Sequence, residues 1–240
     1  MSPALKLCDF PASTGHARWS SFSPYVMIVE RALRLAKLPF KHEQIDMMKL
    51  KKLNPVGQLP VLVVGEEVVP DSTNILRRIN EQLAPGSLTR GLDARAVAEA
   101  WLWEEFADTA LYPYVLATRW ADDRGWEIPR KAFFGGLPPV LRDVIAAFMR
   151  RKTMNMLVGR DFTRAGLPAC DARMFRVLDH LEARAPATGF WMGEQATVAD
   201  VGLFAHLHAL RLPETDFRAA DVAKRQRLSA WLDRVDAATS

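Results

Sequence analysis

The stretch that decides the fold runs from Asn54 to Leu76, NPVGQLPVLVVGEEVVPDSTNIL. Its apolar run from Gln58 to Val64 and the shorter run from Glu67 to Val69 predict two strands, because both are rich in Val or Leu and bounded by turn-forming residues. Gly65 and Glu66 lie between them, and Gly at the first position of a two-residue loop supplies the positive φ that a hairpin turn needs. The stretch therefore predicts a β-hairpin.

A helix is predicted directly after the hairpin. Asp71 and Ser72 are alternative N-capping residues, since both side chains can accept a hydrogen bond from the first turn. Four apolar residues then recur at helical spacing: Ile75, Leu76, Ile79 and Leu83. The pattern ends near Pro85.

Pro60 lies near the start of the first strand, where proline removes a hydrogen-bond donor and so favours an edge or a bend. If the Leu59-Pro60 bond is cis, the N–H and C=O of Leu59 turn outward and can pair with an extended ligand. Asp71 and Ser72 would lie close to that edge, beside the unpaired N–H groups of a helix start, which attract a carboxylate. The alternative is that Pro60 only ends the pairing and Asp71 only caps the helix.

The upstream sequence places this hairpin in a larger unit. Lys6 to Phe10 is a candidate strand, and Pro24 to Lys37 is a candidate helix with Ser23 as N-cap before a proline. Phe40 to Asp46 is a weaker candidate strand. The resulting order of strand, helix, three strands and helix is the layout of a thioredoxin-like domain.

Strand patterns are scarce beyond a predicted linker over residues 85–92. Helical periodicity covers five stretches: Asp93 to Thr118, Pro138 to Lys152, Asp171 to Arg184, Val198 to Leu210 and Val222 to Val235. Pro113 is expected to kink or end the first of them. We therefore predict an α/β domain over residues 1–84 and an all-helical domain over residues 93–240.

Thr197 and Asp200 stand three residues apart before an apolar run. This spacing is an acidic variant of the capping box, in which the side chains at both positions satisfy backbone groups of the first helical turn. We expect the pair to stabilise the fold.

Three motifs together resemble the N-terminal domain of soluble glutathione transferases: Ser23-Pro24-Tyr25, the run from Asn54 to Leu62, and Asp71-Ser72-x-x-Ile75. The resemblance implies a thioredoxin-like domain followed by an all-helical domain. It also implies that Leu59, before a cis Pro60, pairs with the cysteinyl backbone of glutathione. By the same carry-over, Asp71 and Ser72 hold the γ-glutamyl group and Gln58 contacts the tripeptide.

The resemblance makes Ser23 the candidate catalytic residue. A hydroxyl donor at a helix N-terminus stabilises a bound thiolate, the nucleophilic form, and so lowers the pKa of the thiol. Ser20, Ser21 and Tyr25 are rival donors, and the plainer alternative is that Ser23 only caps its helix. In the helical half, Tyr112 and Trp120 are candidates for lining an apolar pocket for a second substrate.

The leading hypothesis is a glutathione transferase with a detoxification role, which conjugates glutathione, as co-substrate, to small apolar electrophiles. The resemblance also implies a homodimer. The helical half is more loosely similar to the metaxin and failed axon connections branch of this fold. Two alternatives therefore stay open, a non-enzymatic interaction module and a carrier of apolar ligands.

The composition is typical of a globular protein, with 49% hydrophobic and 25% charged residues in 240. A net charge of only +4 and short basic clusters argue against nucleic-acid binding. Neither a signal segment nor an apolar run of about 18 residues occurs, so we expect a cytoplasmic protein that binds no membrane. Cys8 and Cys170 lie in different predicted domains, which argues against a disulfide framework, and no metal-ligand spacing occurs.

Overall fold

The computed structural model describes residues 3–10, 21–212 and 215–240. The chain divides into two compact units. The first comprises Met1–Glu105, Thr188–Ala205 and Asp233–Ser240, and the second comprises Phe106–Ala187 and His206–Leu232. The first unit continues through residues 85–92, and the predicted domain boundaries there stay a prediction.

A four-stranded sheet in the order β2-β1-β3-β4 lies in the first unit. Its strands are β1 (Leu5–Asp9), β2 (Lys41–Gln44), β3 (Val61–Val64) and β4 (Glu67–Pro70). β1 pairs in parallel with β2 and antiparallel with β3, and β3 pairs antiparallel with β4. Helix α1 (Pro24–Leu35) connects β1 to β2, and α3 (Ser72–Arg78) follows β4 and packs against α1. This is the predicted thioredoxin-like arrangement.

Local sequence explains most of these elements. Gly65 has φ of 63° in the hairpin turn, as a loop of this length requires. α1 buries Val26, Val29 and Leu33 on one stripe. Strand β2 is exposed along its whole length and carries charged and polar side chains, which protect a sheet edge from pairing with another chain. The short helix α2 (Leu50–Leu53) has no counterpart among the predicted elements.

In the described part of the chain, eight further helices follow α3: α4 (Ala94–Phe106), α5 (Tyr112–Leu116), α6 (Asp123–Phe134), α7 (Pro139–Gly159), α8 (Leu167–Arg184), α9 (Val198–His208), α10 (Asp216–Ala223) and α11 (Gln226–Thr239). The first four predicted helical stretches are helical, whereas the fifth, Val222 to Val235, is interrupted at residues 224–225 between α10 and α11. Helix α6 was not predicted, and α10 was predicted only at its end. Within the described residues, no helix combines the length and the apolar character that crossing a membrane requires.

The helical path does not end at Pro113. π-helical turns over Ala107–Leu111 and Ala117–Ala121 flank α5, and Pro113 is the second residue of that helix. The first positions of a helix need no N–H donor from their own turn, so proline is accommodated there. A third π-helical turn, Ile79–Leu83, prolongs α3 to the predicted end of its pattern.

The start of α9 shows one half of the predicted capping box, in which the Asp200 side chain accepts from the Thr197 N–H. The Asp200 carboxylate accepts hydrogen bonds from the Thr197 N–H (2.8 Å) and from the Thr197 hydroxyl (3.0 Å). Its other oxygen accepts one from the Trp191 N–H at 2.7 Å. Thr197 and Asp200 are both fully buried, so these bonds satisfy groups that water cannot reach.

The first unit also includes an ion pair between a buried arginine of α1 and a partly exposed aspartate of α11. Arg31 is buried, and its Nη1 lies 2.8 Å from Asp236 Oδ1. The same nitrogen donates to Thr239 Oγ1 at 3.1 Å, and the guanidinium lies 5.0 Å from the ring centroid of Phe204. Residues more than 200 positions apart are therefore joined in one polar cluster.

Candidate functional site

The strand register brings the predicted glutathione-binding residues to one end of the sheet. Cys8 pairs with Val61 across β1 and β3, and Val61 pairs with Pro70 across β3 and β4. One residue further along, Asp9, Pro60 and Asp71 lie at the same end of three adjacent strands. Since neighbouring strands are about 4.8 Å apart, this end spans about 10 Å from β1 to β4.

Leu59 presents an unpaired backbone at this end of the sheet. The Leu59-Pro60 bond is cis, which is the condition that the sequence-based hypothesis set. The Leu59 side chain is buried, whereas its N–H and C=O form no hydrogen bond within the part of the chain that the structure describes. Gln58, beside it, has an exposed side chain, and its C=O accepts a hydrogen bond from Asn54 Nδ2 at 2.9 Å.

Asp71 is the N-cap of α3, where its Oδ1 accepts from the Asn74 N–H at 3.1 Å. Its backbone has φ of 77° and ψ of 131°, a conformation that non-glycine residues rarely adopt. Strained residues of this kind concentrate at ligand clamps and active sites. Ser72, at the first position of the helix, is buried, and its hydroxyl forms no hydrogen bond among the described residues.

A buried carboxylate holds the residues directly before α1 in place. Asp9, at the end of β1, is 2% exposed and accepts hydrogen bonds from the Ser21 hydroxyl (2.7 Å) and the Phe10 N–H (2.6 Å). Its second oxygen lies 3.0 Å from His42 Nε2 on β2. The hydrogen bond to Asp9 raises the pKa of His42 above its ordinary value. Asp9 therefore joins two strands to the segment that begins α1.

Ser23 is attached to this cluster but keeps its own proton available. Its backbone N–H donates to Ser21 Oγ at 3.0 Å, and its hydroxyl oxygen accepts from the Val26 N–H at 3.5 Å. The hydroxyl proton of Ser23 has no acceptor among the described residues, whereas that of Ser21 is donated to Asp9. Of these two candidates for the thiol contact, only Ser23 therefore has a hydroxyl proton that is not donated to a described residue.

The other rivals are less well defined. Tyr25 lies half-buried in the first turn of α1, and Ser20 lies outside the described residues. Ser23 also lies at the N-terminus of α1, where the helix dipole gives a positive potential that favours an anion. The arrangement can thus stabilise a negative charge near the Ser23 hydroxyl.

The two residues predicted to line a second-substrate pocket lie in the second unit. Trp120 is buried, and its ring centroid lies 5.5 Å from that of Trp126 and 5.9 Å from that of Phe133. Tyr112 is half-buried, and its ring lies 5.7 Å from that of His206. Burial raises the pKa of the Tyr112 hydroxyl, which therefore stays protonated at neutral pH. Their role in substrate binding stays a prediction.

The thiols of the protein are poor nucleophiles. Cys8 and Cys170 are both buried and free. Burial raises the pKa of both thiols, that of Cys170 to about 11, and so disfavours the reactive thiolate. Among the described residues, no group of three or more His, Cys, Asp or Glu could hold a metal ion.

Asp9 and His42 were not among the residues predicted for the site. The available signal was weak, namely a carboxylate at the end of the apolar strand KLCDF. Because charged residues are rarely buried without a partner, Asp9 could have been suspected of binding a nearby group. The identity of that group depends on the pairing of β1 with β2, which the sequence does not show.

Comparison with known proteins gives matches along most of the chain. A family model described as the glutathione S-transferase N-terminal domain matches residues 24–125, and a model of the glutathione S-transferase C-terminal domain matches residues 164–234. The chain is 24% identical over 232 residues to glutathione S-transferase F10 of Arabidopsis thaliana, which covers 90% of this chain and 87% of that protein.

Solved structures share the fold. Glutathione transferase F7 from Populus trichocarpa aligns with a TM-score of 0.60 and 19% identity, covering 99% of this chain and 100% of that one. The β-etherase LigF from Sphingobium sp. strain SYK-6 aligns with a TM-score of 0.61 and 21% identity, covering 98% and 95%. These matches give no support to the looser similarity to metaxins, which stays a prediction.

Proposed function

Because this chain belongs to the glutathione transferase superfamily, we propose that it conjugates glutathione to small apolar electrophiles, with Ser23 stabilising the bound thiolate. The observation that carries the proposal is the contrast between two neighbouring hydroxyls. Ser21 donates its proton to Asp9, whereas the Ser23 proton has no acceptor among the described residues and lies at the start of α1.

The same end of the sheet supports a binding role for the backbone of Leu59. Its N–H and C=O would pair with the cysteinyl backbone of glutathione, since neither has a partner among the described residues. Cis Pro60 follows it, and the exposed amide of Gln58 is available to a polar ligand. These groups would position the tripeptide as an added strand.

Asp71 and Ser72 would hold the γ-glutamyl end. The ammonium group there would pair with Asp71, whose second carboxylate oxygen is unused, and the carboxylate would lie at the start of α3. The strained backbone of Asp71 supports this role, because a conformation that costs about 1–3 kcal/mol needs a compensating function or packing.

Glutathione supplies the nucleophilic sulfur of the reaction. Ser23 would donate a hydrogen bond to that sulfur, which favours the thiolate and releases its proton to solvent. α1 would add the positive potential of its N-terminus. Asp9 would hold Ser21, and through it the Ser23 backbone, in place. The protein is asked only for thiol activation and proximity. The thiolate sulfur bonds to the electrophilic carbon, and with an aryl halide the carbon–halogen bond breaks and halide leaves with the bonding electrons.

Further parts of the proposal rest on the family. Tyr112 and Trp120 would contribute to an apolar electrophile site, and the protein would act as a cytoplasmic homodimer in detoxification. Sedimentation velocity at micromolar concentration tests the dimer, which a monomer at all concentrations would exclude.

Binding and turnover are tested separately. Glutathione at millimolar concentration should raise the melting temperature, because a ligand of the native state stabilises it, and S-methylglutathione should do the same. Only glutathione should be consumed with an aryl halide as electrophile. Binding without turnover against a panel of electrophiles would favour a ligand carrier, and no thermal shift with either ligand would favour a non-enzymatic module.

A further inference from the structure

Exposed apolar side chains are concentrated on one helix of the second unit. Of the twelve large apolar residues exposed in the described parts of the chain, seven lie on α7: Val140, Leu141, Val144, Phe148, Met154, Met156 and Val158. Scattered exposed apolar residues are ordinary, but a cluster marks an interaction surface. This helix lies between the two ranges that the family models match, 24–125 and 164–234.

The outward face of α7 combines apolar and cationic groups. Val140, Val144 and Phe148 follow one another at four-residue spacing and are 80%, 64% and 68% exposed. This spacing places them on one face, roughly opposite the buried Ala146 and Leu157, which anchor the helix. On that same outward side the next turn carries Arg151 and Lys152, both exposed.

The net positive charge of the protein resides in the same region. Residues 123–159 contain seven Lys or Arg and three Asp or Glu, whereas the rest of the chain contains 25 of each. The three acidic residues are already neutralised by arginines in ion pairs. By contrast, Lys131, Arg151 and Lys152 form no ion pair with any described residue. The surface thus presents uncompensated positive charge beside exposed apolar groups.

From this combination we propose that α7 binds an anionic membrane surface, lying in the interface with its apolar stripe toward the acyl chains. A twofold contact of this face with itself would bring like charges together and is disfavoured. A lipid interface satisfies both kinds of group at once, because Val and Phe enter the headgroup boundary while Arg and Lys reach anionic headgroups. The stripe from Val140 to Val158 is about 27 Å long, at 1.5 Å per residue.

Co-sedimentation of the full chain with vesicles tests this proposal. Vesicles of phosphatidylcholine with about one quarter phosphatidylserine should bind the protein, and vesicles of phosphatidylcholine alone should bind it about tenfold less. Raising the salt concentration to about 0.5 M should reduce binding, because it screens the surface potential.

Two variants separate the contributions of charge and apolar contact. Arg151→Gln with Lys152→Gln, and separately Val144→Ser with Phe148→Ser, should each weaken vesicle binding by about tenfold. The matched controls are Arg90→Gln with Arg95→Gln, and Leu102→Ser. Arg90, Arg95 and Leu102 are also exposed, but they lie in the first unit. The double arginine control removes two positive charges, as the Arg151 and Lys152 variant does. The controls should bind vesicles as the unmodified protein does.

Three outcomes would overturn the proposal. The first is no binding to anionic vesicles, and the second is an equal loss of binding in the control variants. The third is concentration-dependent self-association, or capture by soluble poly-glutamate, that Val144→Ser with Phe148→Ser abolishes while vesicle binding persists. That third result would assign the stripe to a second copy or to an acidic protein instead.

Discussion

Two helix starts in the first unit are capped by hydroxyl residues, and they use those hydroxyls differently. Thr197 before α9 is fully buried and donates its proton to Asp200, whose remaining oxygen accepts the Trp191 N–H. Ser23 before α1 accepts a long hydrogen bond from Val26 and donates to no described residue. The comparison indicates that a cap with every group satisfied stabilises the fold, whereas a cap with a spare donor can act on a ligand.

The largest expected effect is at the satisfied cap. Asp200→Ala should lower the free energy of unfolding by roughly 3–5 kcal/mol, because it leaves the buried N–H groups of Trp191 and Thr197 and the Thr197 hydroxyl without an acceptor. Urea denaturation measures the change. Asp200→Asn, which keeps one acceptor oxygen, should cost less. A loss below about 1 kcal/mol for the alanine variant would remove the contrast between the two caps.

At Ser23, the cap of α1, substitution should reduce catalysis more than stability. Ser23→Ala should lower kcat/KM for glutathione conjugation by about 100-fold, the usual cost of removing one donor to a developing or stabilised anion. Its free energy of unfolding should fall by less than about 1 kcal/mol, because the capping bond is 3.5 Å long. Ser23→Thr, which keeps the hydroxyl, should retain more activity. Unchanged turnover in Ser23→Ala would move the role to Tyr25 or Ser20.

Asp71 provides a third cap, in which the charge can be removed while the capping group stays. Asp71→Asn should leave the free energy of unfolding within about 0.5 kcal/mol, since Asn has nearly the same shape as Asp and caps as well. Glutathione affinity should fall by about tenfold, the loss expected when a bound ammonium group loses one charged partner. Isothermal calorimetry measures the affinity, and equal affinity would exclude the γ-glutamyl assignment.

The smallest effect concerns the network beneath Ser23. The pKa of His42 is raised in the folded protein, so the His42–Asp9 interaction contributes fully below the ordinary histidine pKa of 6.5 and is lost as pH rises through the raised value. His42→Gln should therefore lower the melting temperature at pH 5.5 and change it little at pH 9. A difference that stays constant across that range would show that His42 contributes through packing or a neutral hydrogen bond and not through its charge.

The fold was largely predictable where signals are local. The hairpin follows from Gly65, and the start of α1 from Ser23 and Pro24. α6 was missed because Gly125 and Pro129 indicate a break in the helix. In the structure a Cβ at Gly125 would lie 1.9 Å from the Thr118 carbonyl oxygen, so glycine is required by a close approach of two segments. Such an approach is a tertiary fact, which periodicity within one segment does not reveal.

The site was predictable to a similar extent. The residues Leu59, Pro60, Asp71 and Ser72 could be proposed from their motif, and the register of three strands brings this end of the sheet together. The choice between Ser21 and Ser23 could not be made from sequence, because it depends on where Asp9 directs its carboxylate. That direction is set by strand pairing and by side-chain rotamers.

The Arg31 cluster has a consequence for synthesis of the chain. Arg31 emerges from the ribosome about 200 residues before Asp236 and Thr239, on which its buried guanidinium depends. A chain truncated before Asp233 would lose the polar partners of Arg31 together with the segment that packs over it. The contacts between α1 and α11 can therefore form only after this segment is synthesised, and an N-terminal fragment expressed alone lacks them.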